Sequence, residues 1–159
     1  MIIDADAVPP RPWRNGGGVT RELLRWPTSG DWRLRLSLAD IDLDGPFSAF
    51  PGVARWFVVL DGAGVVLSLD GHDHTLRPGD APLRFDGATA PACRLLAGPT
   101  RDLNLMLQGL DGELRAARPG EPAPAWARLG FFASAARRLH WPAAAGSAPA
   151  AGFWIGAAA

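Results

Sequence analysis

A chain of 159 residues is long enough for one ordinary domain with its own core, or for two small halves sharing one, and too short for three. Its 48% hydrophobic and 20% charged residues give the balance of a soluble globular protein, and no apolar run reaches the length needed to cross a bilayer. Sixteen acids meet sixteen bases, all of them arginine: the absence of lysine closes a Walker-type phosphate loop and lysine Schiff-base chemistry, and the absence of a net positive field argues against nucleic acid as a partner.

The first segment, MIIDADAVPPRPW, carries acids where a signal peptide has a basic region. A single cysteine, Cys93, has no CxxC or histidine-rich companion. Together these set the expectation of a cytoplasmic protein in a reducing compartment, with Cys93 a buried small hydrophobe. PWRNGGGVTREL (Pro12–Leu23) then places Gly16, Gly17 and Gly18 between the clusters Trp13-Arg14-Asn15 and Thr20-Arg21-Glu22, with no evident helix or strand. The triple glycine matches neither GxGxxG nor GxxxxGKS/T. It is read as a turn needing positive φ, or as bare backbone that a ligand or another strand can approach closely.

From Trp32 to Leu38, WRLRLSL alternates strictly, with Trp32, Leu34, Leu36 and Leu38 on one face and Arg33, Arg35 and Ser37 on the other, which predicts a strand with one polar face. Turns follow around Phe47 and Phe50. Trp56 to Leu60 and Gly64 to Leu69 read as two strands joined as a hairpin across Asp61-Gly62. Asp70-Gly71 makes the next turn, His72 to Leu76 a short strand and Pro78-Gly79-Asp80 another turn. Ala81 to Phe85, Cys93 to Ala97 and Asp102 to Leu107 complete a series of short strands of the kind that builds a β-sandwich or barrel. In the last, RDLNLML, Leu103, Leu105 and Leu107 share one face and Asp102, Asn104 and Met106 the other. Beyond Gln108 the chain turns polar and proline-rich and reads as a linker or wandering loop. ARLGFFASAARRLHW fits either a helix from Trp126 to Leu139 or a strand around Phe131 and Phe132, and Gly152 to Ile155 fits a strand before a frayed end.

His72 and His74 share a strand face and could chelate a metal, but they lie beside a turn, and His140 is far away. Ser48 lacks a GxSxG elbow, and Cys93 has no adjacent base. No carboxylates pair in an acid-base arrangement. Arg33 and Arg35 are more informative, because a guanidinium in a central strand requires a carboxylate or a ligand anion. Either they form internal ion pairs with Asp40, Asp42 or Asp102, or Arg33 and Arg35 join Asn15, Arg21, Ser37 and Asn104 in binding a small carboxylate, with Trp13 as an apolar wall. Asn15 and Asn104 are the chain's only asparagines, and they are candidates for one shared site.

In their order and spacing, PWRNGGGVTREL, RLSLADIDLDGPFSAFPGVAR, VLDGAGVVLSLDG, LRFDGA and GPTRDLNLM resemble the HutD/Ves family over roughly residues 10 to 107. The resemblance implies an all-β, cupin-type β-barrel (jelly roll), bicupin-like with a shortened second half. Residues 1–110 would form the barrel carrying the motifs, and 111–159 a linker and an abbreviated second half packed on it. Carried over by position, it implies ligand-binding roles for Trp13, Asn15, Gly16, Gly17, Gly18, Thr20 and Arg21, for Arg35, Ser37, Phe47, Ser48, Phe50 and Arg55, and for Asp102 and Asn104. FSAFPG stands where cupin enzymes carry metal-binding histidines, and no histidine lies between Phe85 and Leu107, so no metal and no other cofactor is expected. HutD proteins are associated with histidine utilisation, which implies a non-catalytic binder of urocanate or N-formylglutamate that moderates the pathway; a homodimer is left open. The competing expectations are a cupin enzyme using His72 and His74 for a metal, and a scaffold whose polar cluster is an internal ion-pair network.

Overall fold

The computed structural model describes residues 1–159 as an all-β molecule of fifteen strands. They begin with β1 (Ile2–Asp4), β2 (Arg11–Pro12), β3 (Gly18–Trp26), β4 (Leu34–Ile41), β5 (Gly45–Pro46), β6 (Val53–Asp61), β7 (Val65–Leu69) and β8 (His72–Leu76). The rest are β9 (Leu83–Asp86), β10 (Ala92–Leu95), β11 (Thr100–Gln108), β12 (Asp111–Ala117), β13 (Arg128–Ala133), β14 (Arg138–His140) and β15 (Gly152–Ala158). One 3-10 turn, Ala5–Ala7, is capped by the Asp4 carboxylate, which accepts from the Asp6 N–H.

Three antiparallel sheets stack around two cores. The central sheet has six strands in the order β2-β3-β4-β11-β6-β9. Strand alternation divides its side chains between two faces. Leu34, Leu36 and Leu38 of β4, Leu103, Leu105 and Leu107 of β11, and Val58 of β6 pack against Leu114, Phe132, Leu139 and Ile155 of a five-stranded sheet, β1-β14-β13-β15-β12. On the other face, Ile41, Phe57, Val59 and Phe85 meet Val65, Leu67, Leu69, Leu76 and Cys93, which belong to a four-stranded sheet, β5-β10-β7-β8. A smaller apolar cluster, with Phe131 and Trp154 stacked edge to face at 4.8 Å, seals the outside of the five-stranded sheet.

Several expectations are corrected. The sheets are open, not a closed barrel, because the backbone ladders stop at corners where the chain changes sheet. One corner is Asp61-Gly62, read from sequence as a hairpin. β6 pairs with β11 and β9, and β7 pairs with β10 and β8, so these two strands do not pair with each other. A Cβ at Gly62 would lie 2.5 Å from the Pro99 carbonyl oxygen, so the corner admits only glycine. The true hairpin is the next one, β7–β8, turned by Asp70 and Gly71 at φ 49 and 79°.

β3 went unread because a bulge between Glu22 and Leu24 breaks its alternation and buries both Leu23 and Leu24. β12 lies inside the segment expected to be a linker. It is an edge strand, and an edge strand keeps a polar face. The Trp126–Leu139 helix does not form: that stretch contains β13 and β14, both antiparallel to their neighbours. The chain's last strand, β15, runs to Ala158 paired with β12 and β13, so the expected fraying is absent there.

Candidate functional site

The register of β4, β11 and β6 lines up three rows on the face of the central sheet turned toward the four-stranded sheet. Met106 stands between Arg35 and Arg55, Asn104 between Ser37 and Phe57, and Asp102 between Ala39 and Val59. Above these rows lies a cavity of about 600 Å³. A comparable hollow of about 570 Å³ lies on the five-stranded sheet near Trp126 and Trp141, but its single charged residue, Arg128, is already stacked 3.9 Å from the Trp26 ring.

Arg55 forms the floor of the first cavity. It is 4% exposed and belongs to none of the protein's ion pairs. Its Nη2 donates to Asn104 Oδ1 at 3.1 Å and its Nη1 to the Ser48 carbonyl at 3.3 Å, while its Nε has no partner. The rings of Phe47, Phe50 and Phe85 surround the guanidinium with centroids 5.6, 5.4 and 5.1 Å away. Burial lowers the Arg55 pKa to about 10, opposed by the charge of Asp102, so the group stays protonated at neutral pH.

Asp102 is 1% exposed. Its Oδ1 accepts from Asn104 Nδ2, and its Oδ2 has no partner. Burial pushes its carboxyl well above the ordinary aspartate value, outweighing the Arg55 charge. Asn104 therefore bridges the two, with its amide fixed by a donor on one side and an acceptor on the other. Nearer the mouth, Arg35 Nε donates to Glu22 Oε1 at 2.9 Å and its guanidinium lies 5.2 Å from the Trp32 ring, leaving both terminal nitrogens without a protein partner.

Such a lining does not fit a metal ion. A cupin metal needs several imidazoles or carboxylates converging on one point. Here the cavity holds a single carboxyl beside a guanidinium, and no group of three or more His, Cys, Asp or Glu in the structure could hold one. His72 and His74 sit on the edge strand β8, with His72 Nδ1 3.1 Å from the Asp70 carbonyl oxygen.

Comparison with known proteins places the chain. The HutD family model matches residues 5–122. The chain belongs to the HutD family. A Pseudomonas putida protein described as an uncharacterized 21.2 kDa protein in the hutC 3' region is 40% identical over 127 residues, covering 72% of this chain and 66% of that protein. Protein Ves of Citrobacter koseri is 38% identical over 107 residues, covering 65% of this chain and 56% of its own length. The chain thus spans between about half and two thirds of the length of these relatives. Among solved structures, HutD from Pseudomonas fluorescens SBW25, in a formate condition, superposes with a TM-score of 0.86 at 28% identity over 99% of this chain and 97% of that one. A predicted oxalate decarboxylase from Thermotoga maritima, 16% identical, covers 68% of this chain and 99% of that one at a TM-score of 0.56, which shows the cupin fold alone.

Within this HutD-family chain, eleven of the residues singled out from sequence line the one cavity: Trp13, Asn15, Thr20, Arg35, Ser37, Phe47, Ser48, Phe50, Arg55, Asp102 and Asn104. Gly16, Gly17, Gly18 and Arg21 do not. The glycines lie behind the wall. Gly16 turns the β2–β3 loop at φ 72°, the Gly17 N–H donates to Asn15 Oδ1 at 2.8 Å, and a Cβ at Gly18 would lie 2.4 Å from the Asp40 carbonyl oxygen. They let the loop pack flat on β4 while presenting Trp13 and Asn15 to the mouth. Trp13 Nε1 donates to Thr20 Oγ1 at 2.7 Å, and its ring meets Phe47 edge-on at 6.0 Å.

Arg21 is on the opposite face of its strand, donating to Asp40 at 3.2 Å; Arg101 joins the same carboxylate at 2.7 and 3.1 Å. The ion pairs expected for Arg33 and Arg35 with Asp40, Asp42 or Asp102 are absent: Arg33 donates to the Gly109 carbonyl, and Arg35 uses Glu22. Sequence reading also passed over Pro12, Arg14, Ala39, Pro46 and Met106 as lining residues. Met106 was recoverable from its alternation with Asp102 and Asn104. Phe85 beside Arg55 was not, since only the β6–β9 register brings them together.

Proposed function

We propose that this HutD-family chain is a non-catalytic, cytoplasmic binding protein for a small carboxylate metabolite of the urocanate or N-formylglutamate type, serving histidine utilisation as a modulator. The observation that carries this reading is Arg55: a buried, protonated guanidinium without a carboxylate partner, on the floor of a cavity walled by aromatic rings. Leaving a charge in low dielectric is costly unless an opposite charge joins it. A ligand carboxylate supplies that charge, and a guanidinium recognises it through paired N–H donors. The anchor is thus Arg55, with Arg35 at the entrance, and Ser37, Asn15 and Asn104 orienting the rest of the molecule. The position of the Pseudomonas putida relative beside hutC supports the pathway assignment.

Calorimetric titration of the metal-stripped protein with urocanate, N-formylglutamate and glutamate tests the proposal. Saturable binding of one of the pathway compounds, lost in Arg55→Met with the fold intact, is the expected result. Silence toward all three, or binding as tight in Arg55→Met as in the wild type, would sink it.

A further inference from the structure

Arg55 and Asp102 are the two buried ionisable groups that line the cavity. They lie on neighbouring strands, yet they do not form an ion pair: Asn104 stands between them, giving its Oδ1 to Arg55 and its Nδ2 to Asp102. The remaining Asp102 oxygen is buried with no hydrogen-bond donor near it. An ionised carboxylate can accept about four hydrogen bonds and is very costly to leave with one, whereas a neutral acid needs far less.

We propose that Asp102 sets the charge of the pocket: held as a neutral carboxylic acid, it leaves Arg55 as the one uncompensated buried charge, so that an anion is bound only while Asp102 keeps its proton. This rests on the carboxylate reading of the cavity and extends it to a proton-linked specificity residue.

The surroundings of Asp102 support the assignment. On β6 the facing charge is Arg55, which is too distant to pair with it directly. On β4, Asp40 adds a repulsive negative charge although its own carboxylate is taken by Arg21 and Arg101, while Arg35 is engaged by Glu22. On β10, Cys93 feels the charges of Asp102 and Asp44, but burial drives its thiol to about 12, so it remains neutral. On β11 itself, Asn104 contributes one neutral amide hydrogen bond. Burial outweighs these influences and favours the protonated acid. Were Asp102 to ionise, its charge would neutralise Arg55 from within, and an incoming anion would meet a buried floor of no net charge, with Arg14 and Arg35 as the remaining cations of the lining.

The test uses propionate, whose carboxylate does not titrate above about pH 6. Its affinity for the wild-type protein is measured by calorimetry from pH 6 to pH 9, while the Asp102 side-chain carbonyl is followed by carbon NMR in the same range. The expected results are a protonated Asp102 signal at pH 7 and an affinity that falls by about tenfold per pH unit once that signal titrates. Asp102→Asn, which preserves the acceptor for Asn104 and cannot ionise, should bind propionate with an affinity that stays level from pH 6 to pH 9. An ionised Asp102 at pH 7, or loss of binding in a folded Asp102→Asn, overturns the proposal. Failure of the carboxylate reading has a different signature: propionate binds at no pH although Asp102 is protonated, which removes the coupling together with the pocket's assigned ligand class.

Discussion

Along β4 and β11 alternate positions have opposite environments. Leu34, Leu36, Leu38, Leu103, Leu105 and Leu107 are at most 2% exposed and meet apolar neighbours of the five-stranded sheet. Arg35, Ser37, Asp102, Asn104 and Met106, one residue away in each case, line the cavity. The apolar face is redundant, since six leucines contribute to one continuous core and each adds about 1.5–3 kcal/mol through burial. The polar face is not: apart from Asn104, which bridges Arg55 and Asp102, each of its groups has one partner or none, and the register held by the leucines decides which groups meet. The comparison teaches that the site's precision is supplied from behind, by a face that never touches a ligand.

The largest effect should come from breaking that backing. Leu105→Ala, at the centre of the apolar face, should cost about 2–5 kcal/mol in a urea unfolding titration. Carboxylate affinity in the fraction that remains folded should change little, because Asn104 and Met106 keep their strand. A small stability loss, or a parallel collapse of affinity, would break the division between the two faces.

On the polar face the same size of change should appear in binding rather than in folding. Arg55→Met should weaken carboxylate binding by at least about thirtyfold, the scale of removing one partner of a buried charge pair. Its melting temperature should hold or rise, since an apolar side chain suits the space among Phe47, Phe50 and Phe85 better than an unpaired charge does. A marked drop in melting temperature would mean that Arg55 is a structural residue and not an anchor.

These contrasts were partly legible beforehand, for a physical reason. β4 and β11 alternate without interruption, so their two faces could be read from WRLRLSL and RDLNLML directly. Arg55 carries the deepest charge but lies in VARWFVVL, where Phe57 and Val59 share its side and the strand looks apolar on both faces. Its environment depends on the β11 and β9 registers, which no local pattern encodes. The same limit explains the Asp61-Gly62 corner: an Asp-Gly pair signals a turn without saying whether the strands it joins will pair. β3 was hidden by its bulge and β12 by its place at an edge, both features set by neighbouring strands.

The two aspartates of β4 and β11 sharpen the comparison through pH. Asp102 has its pKa raised by burial, so its contribution to stability is fully present below the ordinary aspartate value and is lost as pH rises toward the native value. Asp102→Asn should therefore remove a decline in stability above about pH 4, and its melting temperature should gain on the wild type as pH rises. Equal slopes in the two proteins would show that Asp102 is not the buried acid the cavity geometry requires.

Asp40 runs the other way, and its effect should be the smallest. The hydrogen bond from Arg101, with that arginine's charge and Arg21 beside it, outweighs partial burial and holds its carboxyl below the ordinary value. Its stabilisation is present above that ordinary value and lost as pH falls through the lowered one. Because the cluster is partly open to water, Asp40→Asn should cost at most about 1 kcal/mol at pH 7 and less at pH 3, in thermal melts at low ionic strength. Carboxylate binding should be almost unaffected, since Asp40, Arg21 and Arg101 lie on the leucine side of their strands. If Asp40→Asn instead weakened binding as strongly as Arg55→Met, the sheet would be carrying charge effects from one face to the other, and the two could no longer be treated as separate.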